Sequence, residues 1–258
     1  MLKIENFEVV GWEHAIRGMR NPMNSWAKSD SLMIPKQFCD EDRTWELAEQ
    51  CGYYAPVIKE NDHKLMESLA KGGPVHAKYR RMITVYLDIT APLYWWKEFD
   101  TYKVGTVANS CSTMHKIHAK EFTLDDFSHE HLLVDTDEAC CAISEFEHAI
   151  DPIDILELTV AMLNRAREKF LEAQTKPMKE ESKRTGLVKK YWWQMIQLLP
   201  TSYNQKRTIM LNYEVLHNIY ISRRHHKLDE WHVFCDWIEK LPYSELITMK
   251  NEAHDEKV

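Results

Sequence analysis

The amino-acid sequence predicts an α+β fold, because it contains both strand and helix patterns. Residues 3–10 alternate roughly in polarity and are interpreted as a first or edge strand. Residues 79–90 are rich in β-branched side chains and largely apolar on both sides, which is typical of a central strand. A long amphipathic helix is predicted at about 152–174. The side chains on its apolar face are Leu156, Val160, Leu163 and Phe170.

Shorter helices complete this prediction. The helix at about 60–71 begins with acidic and Asn residues and stops at Gly72-Gly73-Pro74. Pro92 suits the first turn of a helix within 91–102. Helices are also predicted at about 42–51, 187–199, 206–224 and 228–240, and a short one within 12–30. Loops are predicted at 103–118, 119–152 and 175–186.

Length and charge limit the classes of function. The 258 residues fit one domain or two small ones, and we expect a single domain over 1–258. The hydrophobic share of 44% and charged share of 28% are those of an ordinary globular protein. A net charge of −7 argues against broad binding to nucleic acid or to an anionic membrane. A local basic pocket for one phosphate needs only two or three cations and stays open.

The sequence predicts a cytoplasmic protein. Its N-terminus lacks the apolar run of a signal peptide, and no stretch approaches the roughly 20 apolar residues of a membrane span. The six cysteines show no CxxC spacing and are interpreted as reduced thiols. Arg17 and Arg20 are interpreted as surface cations rather than as part of a second phosphate-contacting loop.

Two segments are candidates for ligand binding. If 206–224 is one helix, Asn212 and Arg223 lie about 20° apart on its wheel, three turns apart. An apolar face between an amide and a guanidinium suits a flat ligand with an anionic end. The alternative is a buried helix whose C-terminal arginine meets the helix dipole. Upstream, residues 100–116 place small hydroxyl side chains beside Lys and His, which can wrap a phosphate or can satisfy their own backbone.

Taken in order, these segments resemble the flavin-dependent thymidylate synthases (the ThyX family). That family has an Arg-His-Arg motif, then Asn-x-x-Ser-x-Arg, and later a Leu-Pro followed by a helix with two asparagines and an arginine. Leu199-Pro200, Asn212, Asn218 and Arg223 match the later pattern without a gap, and Asn109 to Ser112 fit Asn-x-x-Ser. The resemblance implies a single domain with a central mixed or antiparallel sheet flanked by long helices.

Several family arginines are replaced in this sequence. Where Arg-His-Arg is expected, the sequence has Tyr102-Lys103-Val104, and the arginine after Ser112 is Met114. The arginine before Leu-Pro is Ile196, and the one after the first helical asparagine is Glu214. Lys103, Lys116 and Arg80 or Arg81 could compensate, although lysine is a poorer fork for phosphate than arginine.

The resemblance implies two sets of site residues and a homotetramer. The cofactor set, for FAD, is His76, Lys103, Asn109, Asn212 and Asn218. The nucleotide set is Ser110, Ser112, His115, Lys116 and Arg223. No catalytic side chain is assigned, since the flavin would carry the chemistry. No metal is expected, because His129-Glu130-His131 and His225-His226 lack the spacing of known zinc motifs.

The resemblance leads to three hypotheses. The first is flavin-dependent methylation of a uracil nucleotide, dUMP to dTMP or a related pyrimidine nucleotide, with methylenetetrahydrofolate and NADPH as co-substrates. The second is a nucleotide-binding protein of the same fold without thymidylate synthase activity. The third is a structural or partner-binding domain that uses a tryptophan-rich face.

Overall fold

The protein is described by a computed structural model that covers residues 2–39, 43–134, 150–177 and 181–249. It is an α+β structure, as the sequence predicts. The strands are β1 (Lys3–Val10), β2 (Leu32–Pro35), β3 (Tyr54–Val57), β4 (Thr84–Pro92), β5 (Val107–Ser110) and β6 (Asn204–Asn212). The helices are α1 (Trp12–Arg20), α2 (Arg43–Cys51), α3 (Glu60–Lys71), α4 (Leu93–Phe99), α5 (Thr113–Lys116), α6 (Pro152–Thr175), α7 (Glu181–Leu198), α8 (Tyr213–Arg223), α9 (Asp229–Ile238) and α10 (Glu245–Thr248).

The strands form two sheets. Four of them form a sheet in the order β1-β4-β6-β5. Strands β2 and β3 form a separate antiparallel pair, in which Leu32 lies opposite Val57 and Pro35 opposite Tyr54. On β4 the side chains of Val85, Leu87 and Ile89 are buried, as is Ile83 just before the strand, whereas Tyr86 is exposed. Strand β4 buries mainly one face, and it lies between β1 and β6, which confirms the central strand predicted within 79–90.

Contacts between Cα atoms divide the chain into two compact units. The first contains Thr90–Lys97 and Ser110–Lys206, and the second contains Leu2–Ile89, Glu98–Asn109 and the chain from Arg207 onward. A single domain over 1–258 stays a prediction.

The first unit is built on the helix pair α6 and α7. Helix α6 begins with Pro152 in its first turn and a reciprocal cap between Asp151 and Asp154, which satisfies backbone N–H groups at the helix start. A buried apolar cluster joins the helices to the preceding loop. It includes Phe122, Phe127, Leu163, Phe170 and Met195. The helix predicted at 152–174 is thus confirmed.

The second unit contains a buried ion pair between α1 and α3. Arg20 Nε donates to Asp62 Oδ1 at 2.7 Å, and both side chains are almost fully buried. Asp62 Oδ2 accepts hydrogen bonds from the Ser29 hydroxyl and from the backbone N–H groups of Asp30 and Ser31. Burial alone would raise the pKa of Asp62, but the hydrogen bonds from Ser31, Ser29 and Arg20 lower it from 3.8 to about 2. The interpretation of Arg20 as a surface cation is therefore wrong.

Several other predicted elements need correction. Residues 204–212 form β6 rather than the start of a helix at about 206, and 181–186 belong to α7 rather than to a loop. Residues 77–82 form a 3₁₀ helix ahead of β4, and the loop predicted at 103–118 contains β5 and α5. The β2–β3 pair was not predicted. Within the described ranges, no helix is long and apolar enough to cross a membrane.

Candidate functional site

Asn212 lies at the junction of β6 and α8, not within a helix. It is the last residue of β6, and its Oδ1 accepts a hydrogen bond from the Val215 N–H at 3.1 Å. This is an N-cap, which satisfies one of the unpaired donors at the start of α8. The helical wheel that placed Asn212 and Arg223 on one face is therefore wrong. The amide nitrogen of Asn212 is not used by this cap.

The segment after α4 lies against the start of α8. Gly105 has a φ of +79°, and a Cβ added there would lie 3.1 Å from Asn212 Nδ2 and 3.2 Å from Val215 Cγ2. Glycine adopts this conformation without strain and allows the close approach. Thr106 N–H donates a hydrogen bond to the Lys103 carbonyl at 3.4 Å, which closes a turn around Gly105. The structure thus brings the Lys103–Gly105 segment and Asn212 together.

Arg223 lies at the other end of α8 and is held by several groups. Its Nη1 donates to Glu98 Oε2 at 2.8 Å, and its Nε donates to the Tyr102 hydroxyl at 3.0 Å. Its Cζ lies 5.0 Å from the ring centroid of Trp231 and 5.7 Å from that of Tyr102, within the range of cation–π interaction. The Arg223 side chain is 16% exposed and Glu98 41%. Arg223 is therefore an accessible but already paired cation.

A second ion pair adjoins this one in the chain. Arg207 Nη1 donates to Asp100 Oδ1 at 2.8 Å. Glu98 lies in the last turn of α4, and Asp100 follows directly after the helix. Each carboxylate neutralises an arginine from the C-terminal part of the chain. Residues 98–105 thus contact both ends of α8, at its N-cap Asn212 and at its last residue Arg223.

The remaining predicted cofactor residues are exposed. His76 precedes the 3₁₀ helix at 77–82, Lys103 lies in the turn before β5, and Asn218 lies on the surface of α8. Asn109 is an exposed residue of β5, whose position in the sheet order is at an edge. The structure places Gly105, two residues after Lys103, against Asn212.

Most of the predicted nucleotide residues lie in the first unit. Ser110 ends β5, and Ser112 caps α5 by accepting a hydrogen bond from the His115 N–H at 3.0 Å. His115 and Lys116 are exposed on α5. Arg223 belongs to the second unit.

Arg80 does not serve as a compensating surface cation. It is 2% exposed, its Nη1 lies 3.6 Å from Glu214 Oε2, and its Nη2 donates to Met249 Sδ. Glu214, which stands where the resemblance expects an arginine, is thus the partner of Arg80. Arg81 is exposed.

The sequence did not identify Glu98, Trp231 or His226 as members of the site around Arg223. His226 Nε2 lies 3.7 Å from Glu98 Oε2, and its Nδ1 accepts a hydrogen bond from the Leu228 N–H at 3.2 Å. This acceptor role leaves the proton of the neutral imidazole on Nε2, facing Glu98. A hint in the sequence was the spacing of Glu98 and Tyr102, four residues apart, which would put both on one side of a helix.

The cavity beside α1 and β2 lies away from the predicted site residues. It has a volume of about 460 Å³, and residues Arg17, Trp26 and Leu32 are among those that line it. Its lining includes none of the predicted site residues. Among the residues that the structure describes, no group of three or more His, Cys, Asp or Glu side chains could hold a metal ion.

Comparison with known proteins identifies the fold. No protein-family model matches the sequence, and no curated protein does. Two solved structures of thymidylate synthase X (ThyX) from Helicobacter pylori, both with FAD and dUMP, are similar to this chain. Each is 14% identical and covers 96% of this chain and 98% of its own, with TM-scores of 0.54 and 0.52. The fold is ThyX-like.

The ThyX-like fold confirms the fold class that the sequence predicted. The likeness extends over nearly the whole chain, beyond the segment of about 70–240 in which the sequence motifs fall. At 14% identity it establishes the fold alone. Ligands and chemistry depend on the side chains described above.

Proposed function

We propose that this protein binds a pyrimidine nucleotide, with dUMP as the first ligand to test. The observation that carries the proposal is the arrangement of α8, which keeps Asn212 at its start and an accessible Arg223 at its end. The ThyX-like fold supports it, since the similar Helicobacter pylori structures were solved with dUMP. Asn212 offers an amide donor for a base, and Arg223 offers a cation that the rings of Tyr102 and Trp231 hold in place.

The residues present fit FAD less well than a nucleotide. FAD carries a pyrophosphate with two negative charges, and at the expected Arg-His-Arg position Lys103 is the sole cation of Tyr102-Lys103-Val104. The Tyr102 hydroxyl is already bonded to Arg223. Flavin-dependent methylation of a uracil nucleotide is therefore the second candidate. It is favoured by Asn212, whose amide nitrogen the helix cap does not use, and it requires methylenetetrahydrofolate and NADPH in addition to FAD.

A calorimetric titration with dUMP tests the first candidate. We expect the wild-type protein to bind dUMP and Arg223→Gln to bind it at least about tenfold more weakly, because the substitution leaves Glu98 without its partner. Arg224→Gln is the matched control. Arg224 is the next residue and pairs instead with Asp236 and Glu239, so its loss should leave the affinity within about threefold.

Two results would contradict nucleotide binding: no saturable binding of dUMP to the full chain, or equal losses in the two arginine variants. Melting temperatures of both variants report whether they fold. The enzyme candidate has its own readouts. It predicts a yellow protein after incubation with FAD, and dTMP formed from dUMP with methylenetetrahydrofolate and NADPH. A colourless protein that still binds dUMP supports the binding protein over the enzyme.

A further inference from the structure

The charge of Arg223 is balanced within the chain itself. The Glu98 carboxylate lies 2.8 Å from Nη1, and its exposed fraction of 41% shows that it is partly open to solvent. A carboxylate and a guanidinium at hydrogen-bond distance cancel most of each other's field at longer range. A ligand that approaches Arg223 therefore meets a neutral ion pair rather than a free cation.

The donors of Arg223 are also partly used. A phosphate binds an arginine best through two parallel N–H donors on one edge of the guanidinium. The edge that includes Nε is engaged by the Tyr102 hydroxyl, and Nη1 on the other edge faces Glu98. The aromatic rings of Tyr102 and Trp231 lie near the guanidinium carbon. A phosphate on either edge would have to displace one of these partners or lie beside the carboxylate.

The neighbouring charged groups do not change this balance. Arg207 is paired with Asp100, so the two arginines and two carboxylates of this region sum to zero. His226 faces Glu98 at 3.7 Å through Nε2. Lys103 is exposed and adds one positive charge, which water and salt screen strongly.

We propose that Glu98 is a specificity-determining residue that removes the advantage of a phosphate group at this site. The site then recognises the pyrimidine nucleoside, and deoxyuridine binds about as tightly as dUMP. This inference rests on the proposed nucleotide site and deepens it by naming the part of the ligand that contributes affinity. A phosphate dianion gains little from a paired arginine and is repelled by the adjacent carboxylate.

The test is a comparison of deoxyuridine and dUMP as ligands for three proteins: wild type, Glu98→Gln and Asp236→Asn. The wild type should bind the two ligands within about threefold of each other. Glu98→Gln keeps the shape of the side chain and frees the charge of Arg223. It should bind dUMP at least about tenfold more tightly than the wild type and leave deoxyuridine within about threefold. Asp236→Asn removes the same kind of charge from Arg224 and should change neither affinity.

The possible outcomes separate the two proposals. Unchanged dUMP affinity in Glu98→Gln overturns the role of Glu98 and leaves nucleotide binding standing. Failure of every protein to bind either ligand overturns the nucleotide site itself. If Glu98→Gln does not fold, the salt dependence of wild-type dUMP binding decides. A change in dUMP affinity below about threefold between about 0.05 and about 0.3 M salt supports neutralisation of Arg223 by Glu98. A steep fall in that affinity over the same range overturns it.

Discussion

At the scale of single residues, the buried pair of Arg20 and Asp62 should contribute strongly to stability. We expect Asp62→Asn to lower the free energy of unfolding by about 3 kcal/mol, because it leaves a buried guanidinium without its counter-charge. Glu60→Gln is the control, since Glu60 lies on the same helix in an exposed pair with Lys64 and should cost less than about 1 kcal/mol. Urea denaturation of both variants at pH 7 measures the difference. Equal costs would contradict a stabilising role for the buried pair.

The same carboxylate predicts a dependence on pH. The pKa of Asp62 is lowered from 3.8 to about 2 in the folded protein, so its charge stabilises the fold above about pH 4. This contribution, about 2 kcal/mol from the shift, is lost as the pH falls through 2. The difference in the free energy of unfolding between wild type and Asp62→Asn should therefore shrink as the pH falls from about 4 to about 2.

Residue types were easier to predict than residue partners. The sequence identified Arg223 as a site candidate from its spacing after Leu199-Pro200, and the structure gives it an accessible position. Its partner Glu98 lies 125 residues away, a distance at which no periodicity links two positions. Arg20 was misjudged for the same reason, since its burial depends on Asp62, 42 residues further on.

At the scale of elements, the contact between the Gly105 turn and the start of α8 can be measured with a pair of glycines. Gly105 and Gly73 both have positive φ values, +79° and +86°. A Cβ at Gly105 would crowd Asn212 and Val215, whereas one at Gly73 meets nothing within 4 Å. We expect Gly105→Ala to lower the free energy of unfolding by about 1 kcal/mol more than Gly73→Ala. Both substitutions carry the cost of an alanine at positive φ, so the difference reports the crowding at Gly105.

Urea denaturation of the two alanine variants gives this difference. Equal losses in the free energy of unfolding would mean that the turn at Gly105 is not closely packed against the start of α8.

Elements with strong local signals were predicted best. Helix α3 has the predicted bounds because its polar start and Gly72-Gly73 end are local features. Strand β6 was mistaken for a helix because the helical pattern of α8 was extended backward. In the structure buried Ile209 and Leu211 alternate with less buried neighbours, but Met210 between them is also apolar, so the sequence shows no clear period of two. The β2–β3 pair joins four-residue strands far apart in sequence, which local patterns cannot connect.

At the scale of the whole molecule, the resemblance to ThyX predicts a homotetramer. Helix α6 exposes Ile155, Leu158 and Met162 at positions that share one helical face, and such apolar surface is typical of an interface. Light scattering after size exclusion should give about four times the chain mass of 30.6 kDa. Leu158→Glu should reduce that mass if the α6 face is part of the assembly. A monomeric wild type would contradict the prediction.

The direct passage from β6 into α8 has a consequence for how this chain can change. Asn212 ends the strand and caps the helix, so no loop separates the two elements. One inserted residue would turn the helix that follows by about 100° and carry Arg223 away from Glu98. A substitution leaves the orientation of the helix about its axis unchanged. We therefore expect an insertion between Tyr213 and Arg223 to disturb the pairing of Arg223 with Glu98 more than a substitution at an exposed position of α8. A variant library for this helix should change residues and keep its length.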